Sequence, residues 1–323
     1  MKLLKAGKCV SKARLDGKTA IVTGSNTGIG KITAREFYRI GARVILACRD
    51  AEKAAKAVDD IKETVKSEDN QPLGELVIKK LDLGSLLSIK ECAKDILQSE
   101  ERINILVNNA GVMMCPKSKT ADGFELQFGT NHLGHFLFTC LLLPRIRHST
   151  PARIVNVSSL AHKKGRIHFD DINLENGYTP FGAYAQSKLA NLLFSHELAT
   201  KLKGKGVNVY SLHPGIVRTE LGRHLNSIYF PGFRSVVRLA FCLFDKTPEE
   251  GAQTTIYCSI EESLEDETGC YYSDCKKETP STAATNAEES KKLWDLSLKM
   301  TGLGDWDPFT APNDILPPSL TNI

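Results

Sequence analysis

The stretch Thr23-Gly24-Ser25-Asn26-Thr27-Gly28-Ile29-Gly30 joins the apolar run Thr19–Thr23 to a helix-period segment, Gly28–Ile40. Its glycines follow the spacing GxxxGxG rather than GxGxxG. Between a strand and a helix, Gly24 permits a tight turn, Gly28 lets the backbone approach a pyrophosphate, and Gly30 allows close helix packing. The first N–H groups and the positive dipole end of the helix then face the phosphates. The stretch therefore predicts a dinucleotide site, with Gly24, Ser25, Asn26, Thr27, Gly28, Ile29 and Gly30 binding the cofactor.

Short apolar runs alternate with helix-period segments along the rest of the chain. The predicted strands are Thr19–Thr23, Arg43–Ala47, Leu76–Leu81, Ile103–Asn108, Arg153–Ser158 and Val207–Leu212. The predicted helices are Gly28–Ile40, Asp50–Lys66, Ser85–Gln98, Ala121–Leu143 and Ala183–Lys203. Strands in which apolar and polar residues do not strictly alternate are expected to be buried on both faces of the sheet. The order predicts an α/β fold, a single Rossmann-type doubly wound parallel sheet flanked by helices.

Composition and length limit the organisation and the partners. The chain has 323 residues, 41% of them hydrophobic, and no internal repeat. We predict a basic segment at 1–15, one domain at 16–300 and an irregular tail at 301–323, which contains four prolines. A net charge of +4 is too small to indicate nucleic-acid binding. The nine cysteines are scattered, with no zinc-type spacing, so we expect no metal.

Two regions bear on membranes. The longest apolar run, Phe136–Leu143, is too short for a span and fits a buried helix that ends at Pro144. The first fourteen residues carry five basic side chains and no acid: Lys2, Lys5, Lys8, Lys12 and Arg14. A solvated, frayed terminus is the favoured interpretation, and a basic segment beside anionic lipid is the alternative.

The end of the second predicted strand indicates which nicotinamide cofactor binds. NAD enzymes commonly place an acid there, whereas an arginine accommodates the 2′-phosphate of NADP. Here Cys48 occupies the strand end and Arg49 follows. A planar guanidinium suits bidentate binding of phosphate, and Lys31 adds positive charge. We therefore predict NADP(H), with Asp50 as the cap of the next helix.

Two other strand ends lie on the adenine and ribose side of the predicted site. Asp82 and Leu83 follow the third strand, where a carboxylate can accept from the adenine amino group; helix capping by Asp82 is the alternative. Asn109, Ala110 and Gly111 follow the fourth strand. Their small size lets the backbone and the cofactor approach closely.

Tyr184 and Lys188 are the predicted catalytic pair. Four residues apart on a helix, they lie on one face. Carbonyl reduction needs a proton at oxygen, and an unperturbed phenol has a pKa near 10. A neighbouring ammonium lowers that pKa and can also hold the nicotinamide ribose. Ser158 or Ser159 would donate a hydrogen bond to the substrate oxygen. Asn131 either holds a water that links Lys188 to solvent or serves as a packing amide.

The segment after the sixth strand completes the predicted site. Pro214 and Gly215 form a turn that can cover the nicotinamide face. Backbone groups near Val217 can bond its carboxamide, and Thr219 can reach the carboxamide or a phosphate. The apolar, aromatic stretch that follows, within 219–247, predicts a substrate lid; an ordinary packing helix is the alternative. Thr247 then caps a helix that begins with Pro248.

These motifs resemble the short-chain dehydrogenase/reductase family. Longer runs, such as Asn108–Pro116, Thr120–Glu125 and Asn131–Phe136, resemble the retinol dehydrogenases of the type 11 to 14 subgroup, most closely types 11 and 12. The resemblance covers residues 7–300. It selects Ser159 over Ser158 as the serine that contacts substrate, and it implies catalytic roles for Asn131, Tyr184 and Lys188.

The resemblance implies NADPH-linked interconversion of retinal and retinol, chiefly as a reductase, and action on apolar aldehydes. A steroid or lipid-ketone reductase and a non-catalytic NADP(H)-binding sensor are the alternatives. The expected partner is a small apolar carbonyl or alcohol such as a retinoid, with membrane-surface contact and a homo-oligomer left open. Relatives are anchored in the endoplasmic reticulum membrane on the cytosolic side; a cytosolic location is the alternative, because this chain starts near where their anchor ends.

Overall fold

Strands that lie edge to edge form the framework of the protein. The computed structural model describes residues 6–67, 71–224, 245–304 and 306–313. Its strands are β1 (Thr19–Thr23), β2 (Arg43–Cys48), β3 (Glu75–Lys80), β4 (Ile105–Asn108), β5 (Ala152–Val157), β6 (Val207–Leu212), β7 (Cys270–Ser273) and β8 (Lys276–Glu278). They form one sheet in the order β3-β2-β1-β4-β5-β6-β7-β8. The pairs from β3 to β7 are parallel, and β8 runs antiparallel to β7.

Helices cover both faces of the sheet. They are α1 (Gly28–Arg39), α2 (Ala51–Thr64), α3 (Leu86–Ser99), α4 (Leu126–Phe128), α5 (Gly134–His148), α6 (Pro180–Leu202), α7 (Pro248–Ile260) and α8 (Ala287–Met300). A π-helical turn, Gly129–Leu133, joins α4 to α5. Short 3-10 helices span Leu160–Lys164, Glu220–His224, Glu262–Leu264 and Thr282–Thr285.

Alternate residues of the central strands enter two separate cores. Ile21 packs with residues of α3, α5 and α6 on one face. Its neighbours Ala20 and Val22 pack with residues of α1, α2 and α7 on the other. Burial on both faces explains why these strands read as continuous apolar runs. The predicted doubly wound α/β fold is confirmed, and the strand order reverses between β1 and β4, where such sheets bind ligands.

The predicted helix Ala121–Leu143 was wrong at both ends. The chain becomes helical only after Glu125, whose carboxylate accepts from the N–H groups of Gln127 and Phe128. At the other end, α5 continues through Pro144 to His148. The final turn is held there because the Ser149 hydroxyl donates to the Arg145 carbonyl at 2.7 Å. This bond gives that carbonyl a partner beyond the helix.

Three elements were not predicted. β7, Cys-Tyr-Tyr-Ser, is mostly buried but has only four residues, too few for a period to be read, and β8, Lys-Lys-Glu, is exposed and has no apolar residue. The helix α8 carried a usable signal: Asn286 caps it by accepting from the N–H of Glu289. An Asn followed three residues later by Glu, before Leu293 and Trp294, is a helix-start pattern. The predicted start of α7 is confirmed, with Thr247 and Glu250 forming a capping box.

Both ends of the described chain are attached to the domain. The interpretation of a frayed N-terminus does not hold for residues 6–15, because the N–H of Gly7 donates to Asp274 Oδ1 at 3.2 Å and that of Cys9 to Gln253 Oε1 at 3.1 Å. In the C-terminal tail, Trp306 and Phe309 pack against the first core. No helix among the described residues is long and apolar enough to cross a membrane.

Candidate active site

The glycine loop lies at the carboxyl end of β1, as predicted. Gly24 and Gly28 have φ of +66° and +56°, which favour glycine. A Cβ at Gly24 would lie 2.9 Å from the Cβ of Ala110. A Cβ at Gly30 would lie 2.5 Å from Asn109 Nδ2 and 2.6 Å from the Gly24 carbonyl oxygen. The glycines are therefore required for the turn and for close contact with the segment that follows β4.

Thr23 connects the glycine loop to that segment. Its hydroxyl accepts from the N–H groups of Asn109 and Ala110, both at 2.9 Å. Its carbonyl accepts from Asn109 Nδ2 at 2.8 Å. The buried ring of His135 lies 2.9 Å from the same hydroxyl, and burial lowers the pKa of His135 to about 4. At neutral pH this imidazole is uncharged, so the junction of the two loops is polar and neutral.

The start of α1 suits an anionic group. Thr27 is the N-cap, but its side chain makes no capping bond, and no acid occupies the first turn. The N–H groups at this end therefore lack a side-chain acceptor and can face phosphate oxygens. Ser25 is committed elsewhere, since its hydroxyl donates to the Val22 carbonyl at 2.8 Å. These features fit a dinucleotide, with the backbone from Gly24 to Gly30, including Asn26 and Ile29, forming the cradle.

The predicted phosphate-binding cations differ in their surroundings. Arg49 is exposed and has no ion-pair partner among the described residues. Lys31 is paired with Asp60, with Nζ 2.5 Å from Oδ2. Cys48 is buried beside Ser25, with 3.5 Å between Sγ and Oγ. Among the described residues the charge of Arg49 is therefore not neutralised by an ion pair, whereas that of Lys31 is, and Asp50 caps α2 as predicted.

Asp82 is oriented by a turn, not by a helix end. Its Oδ1 accepts from the N–H of Gly84 at 2.9 Å. The cap of α3 is Ser85, which removes the helix-capping alternative for Asp82. Leu83 is buried in the first core. A Cβ on Gly134 would lie 2.5 Å from the carbonyl oxygen of Leu83. The adenine-side role of both residues stays a prediction.

Asn131 and Lys188 meet beside Gly111. A Cβ on Gly111 would lie 3.2 Å from Asn131 Oδ1 and 3.7 Å from Lys188 Nζ. The Asn131 amide is fully buried; its Nδ2 donates to the Val112 carbonyl and to Ser187 Oγ, both at 2.9 Å. Its Oδ1 accepts from the N–H of Val112 at 2.8 Å. Asn131 lies in the π-helical turn, a distortion that often marks functional sites. Its predicted water-holding role is not tested by these contacts.

Tyr184, Lys188 and Ser159 converge on one side of the site. The Ser159 side chain lies near the Tyr184 hydroxyl and acts on its ionisation. The Lys188 Nζ lies 5.8 Å from the Tyr184 ring centroid and donates to the Val157 carbonyl at 3.0 Å. Ser158 points elsewhere, because its hydroxyl donates to the Lys188 carbonyl at 2.7 Å. The structure thus separates the two serines that strand geometry alone left equivalent.

Burial dominates the ionisation of the pair. It raises the pKa of Tyr184 to about 12, while the neighbouring Ser159 side chain acts in the opposite direction. It lowers the pKa of Lys188 to about 8. The sequence predicted that Lys188 would lower the Tyr184 pKa, but burial raises it instead. At neutral pH the phenol keeps its proton, which is the form that can act as an acid.

The turn after β6 returns to the glycine loop. Gly215 has φ of +87°, and its N–H donates to His213 Nδ1 at 3.0 Å. A Cβ on Gly28 would lie 3.1 Å from Thr219 Cγ2, so Thr219 is near the phosphate loop. Val217 forms a β-bridge with Lys246. Pro214 is only half-buried. Most of the predicted lid, residues 225–244, lies outside the described residues.

Several residues that build the site were missed. Thr23 was taken only as the end of β1, and His135, Ser187 and His162 were not selected. The contacts of Thr23 and Ser187 cross 56 to 112 positions of chain. Local spacing carries no signal for such bonds. For His135 the sequence carried a weak signal, because His135 stands four residues after Asn131 on the same helical face.

A glycine turn at the switch point, with a buried phenol and a buried lysine beside it, is the arrangement expected of a nicotinamide-dependent oxidoreductase. The chain belongs to the short-chain dehydrogenase family: the family's sequence model, described as short chain dehydrogenase, matches residues 18–229. Human retinol dehydrogenase 11 is 48% identical over 302 residues, covering 94% of this chain and 91% of that protein.

Solved structures agree with this assignment. An uncharacterised protein from Mycobacterium paratuberculosis is 32% identical with a TM-score of 0.72, covering 92% of this chain and 98% of that one. RhlG from Pseudomonas aeruginosa, in an active-site complex with NADP, is 27% identical with a TM-score of 0.59. The alignment with RhlG covers 80% of this chain and 94% of that one.

Proposed function

We propose that this protein interconverts retinal and retinol with NADP(H), chiefly as a reductase, and that it also reduces other apolar aldehydes. The observation that carries the proposal is the burial of Tyr184 and Lys188 next to each other on one helix, with Lys188 Nζ 5.8 Å from the centroid of the Tyr184 ring and Ser159 near the phenol. Human retinol dehydrogenase 11, by its name, acts on retinol, and its similarity extends over 94% of this chain.

Each residue of the site has a chemical task in this mechanism. When bound, NADPH supplies the hydride that reaches the carbonyl carbon. Tyr184 delivers its proton to the carbonyl oxygen, and Ser159 donates a hydrogen bond there as negative charge develops. Lys188 holds positive charge next to the phenol and favours its ionisation as the proton leaves. The same helix presents both groups on one face, so their separation is fixed.

The surroundings of the site favour an apolar substrate. Among the described residues, the exposed large apolar side chains include Leu160, Phe181 and Ile216, at 43%, 47% and 46% exposure. Leu160 follows Ser159, Phe181 precedes Tyr184 by about one helical turn, and Ile216 lies in the turn after β6. We infer from these sequence positions that the three side chains border the substrate entrance, where burial of a polyene would contribute about 25 cal/mol per Å² of apolar surface. This supports a long hydrocarbon substrate over a sugar.

A substrate panel tests the proposal. Purified protein would be assayed with all-trans-retinal, nonenal and a ketosteroid, each with NADPH and with NADH. We expect NADPH consumption with retinal and nonenal, with the highest kcat/KM for retinal. A ketosteroid preferred over retinal would favour the steroid reductase alternative. Tight NADPH binding with no turnover of any carbonyl would favour the sensor.

Arg49→Ser is expected to weaken the preference for NADPH. A hydrogen bond to a charged group contributes about 1.5–3 kcal/mol. At about 1.4 kcal/mol per tenfold change, its loss lowers kcat/KM for NADPH by about 10–100-fold. The value for NADH should stay nearly constant, because that cofactor lacks the 2′-phosphate. Arg102→Ser is the matched control, since Arg102 is also exposed but precedes β4, at the amino ends of the parallel strands and away from the glycine loop. An equal fall in kcat/KM for NADPH and NADH would show that Arg49 does not bind the 2′-phosphate.

A further inference from the structure

His162 lies buried directly behind Ser159, in the 3-10 helix Leu160–Lys164. Its Nδ1 is 2.7 Å from the Ser159 carbonyl oxygen. Its backbone N–H also donates to that oxygen, at 3.1 Å. The carbonyl of the serine that faces Tyr184 is therefore held by two bonds from one residue.

The second ring nitrogen fixes the tautomer. The backbone N–H of Ser281 donates to His162 Nε2 at 3.2 Å. Because a backbone N–H can only donate, Nε2 must be an acceptor and carry no proton. Nδ1 then carries the hydrogen and donates it to the Ser159 carbonyl. Both nitrogens of the ring are used, and burial lowers the pKa of His162, which keeps it neutral.

The ring is also held by packing. Its centroid is 5.3 Å from that of Tyr271 on β7, edge to face. On the other side, Ser281 leads into the 3-10 helix Thr282–Thr285, whose Ala284 lies in the core formed with α6. The charged or titratable neighbours are Lys163, Tyr271 and His213. The imidazole thus ties the loop of Ser159 to two fixed elements.

We propose that His162 is a positioning residue, a neutral Nδ1–H imidazole that fixes the peptide of Ser159 so that its hydroxyl faces Tyr184 and the substrate oxygen. It touches neither substrate nor cofactor, and acts through the serine. The inference rests on the proposed role of Ser159. If the serine hydroxyl is displaced by a fraction of an ångström, its hydrogen bond to the substrate oxygen weakens. Because that bond strengthens in the transition state, kcat falls more than substrate affinity.

Two substitutions separate the two bonds of the ring. In His162→Asn the side-chain amide sits near the position of Nδ1 and can still donate to the Ser159 carbonyl. In His162→Gln the amide reaches the position of Nε2, so it keeps the bond with Ser281 and loses the one with Ser159. We expect kcat to fall about tenfold in H162Q, the equivalent of one hydrogen bond of about 1.4 kcal/mol, and about twofold in H162N. The Kd for NADPH should not change in either variant.

The measurements are kcat and KM with all-trans-retinal, the Kd for NADPH and the thermal midpoint. His168→Gln is the control, an exposed histidine in the same loop, expected to match wild type. The proposal is overturned if kcat of the two variants follows their thermal midpoints, or if H162Q equals wild type. Ser159→Ala distinguishes the two failures: if it leaves kcat unchanged, the proposed role of Ser159 fails; if it lowers kcat while H162Q does not, only this inference fails.

Discussion

Tyr184→Phe is expected to lower kcat for retinal reduction by about 10²–10⁴-fold, the usual contribution of a positioned acid. The change removes one oxygen atom from a side chain that is 5% exposed. The ring still fills its place on α6, so the fold and the cofactor cleft should be preserved. The proton that neutralises the substrate oxygen then has no donor at the site. The measurements are kcat with saturating NADPH, and the Kd for NADPH from its fluorescence on binding.

The matched control is Tyr178→Phe. The Tyr178 hydroxyl donates to the Cys115 carbonyl at 2.7 Å, outside the pair formed by Tyr184 and Lys188. Its loss costs about 0.5–1.5 kcal/mol of stability and should leave kcat nearly unchanged. If Tyr184→Phe kept more than a tenth of the wild-type kcat, Tyr184 would not be the acid. If it lost NADPH binding, the change would report on the cleft rather than on proton transfer.

The sheet could be predicted where its strands are mainly apolar runs of four to six residues between helices. β1, β2 and β6 are continuous apolar runs between helices, and their bounds were found to within one residue. β7 and β8 lie at the edge, where β8 is exposed and stabilised by pairing with β7 rather than by burial. The exposed residues of β8 need no apolar pattern, and β7, although buried, is too short at four residues for its period to be read.

The candidate site was predictable where its chemistry demands residue types at short spacing. The glycines between β1 and α1 and the pair of Tyr184 and Lys188 are of that kind, since one turn or one helix positions them. The family resemblance selected Ser159, but strand geometry alone left the choice between Ser158 and Ser159 open, because it depends on which hydroxyl points to the Lys188 carbonyl across 30 positions of chain. The same holds for the role of Thr23, whose hydroxyl serves the segment after β4. Tertiary contacts of this length decide the details of the site.

Gly30→Ala is expected to abolish most cofactor binding while the domain still folds. The added methyl group would lie 2.6 Å from the Gly24 carbonyl oxygen and 3.0 Å from its carbonyl carbon, and backbone atoms cannot rotate away. Overpacking of this kind costs about 1–3 kcal/mol. The loop must move away from α1, which displaces the N–H groups that face the phosphates. We expect the Kd for NADPH to rise by about 10²-fold, equivalent to about 2.7 kcal/mol.

Gly204→Ala provides the comparison for Gly30→Ala. Gly204 has φ of +74° and nothing within 4 Å of an added Cβ, so its substitution introduces backbone strain without a clash. It lies between α6 and β6, at the amino ends of the parallel strands, whereas the glycine loop lies at their carboxyl ends. Gly204→Ala should therefore lower the urea midpoint and leave the Kd for NADPH unchanged. Gly30→Ala should raise that Kd far more than its own loss of stability accounts for, because the clash is with the loop that holds the phosphates. If Gly30→Ala bound NADPH as wild type does, the cofactor phosphates could not rest on the N-terminus of α1, and the assignment of the cradle would have to be abandoned.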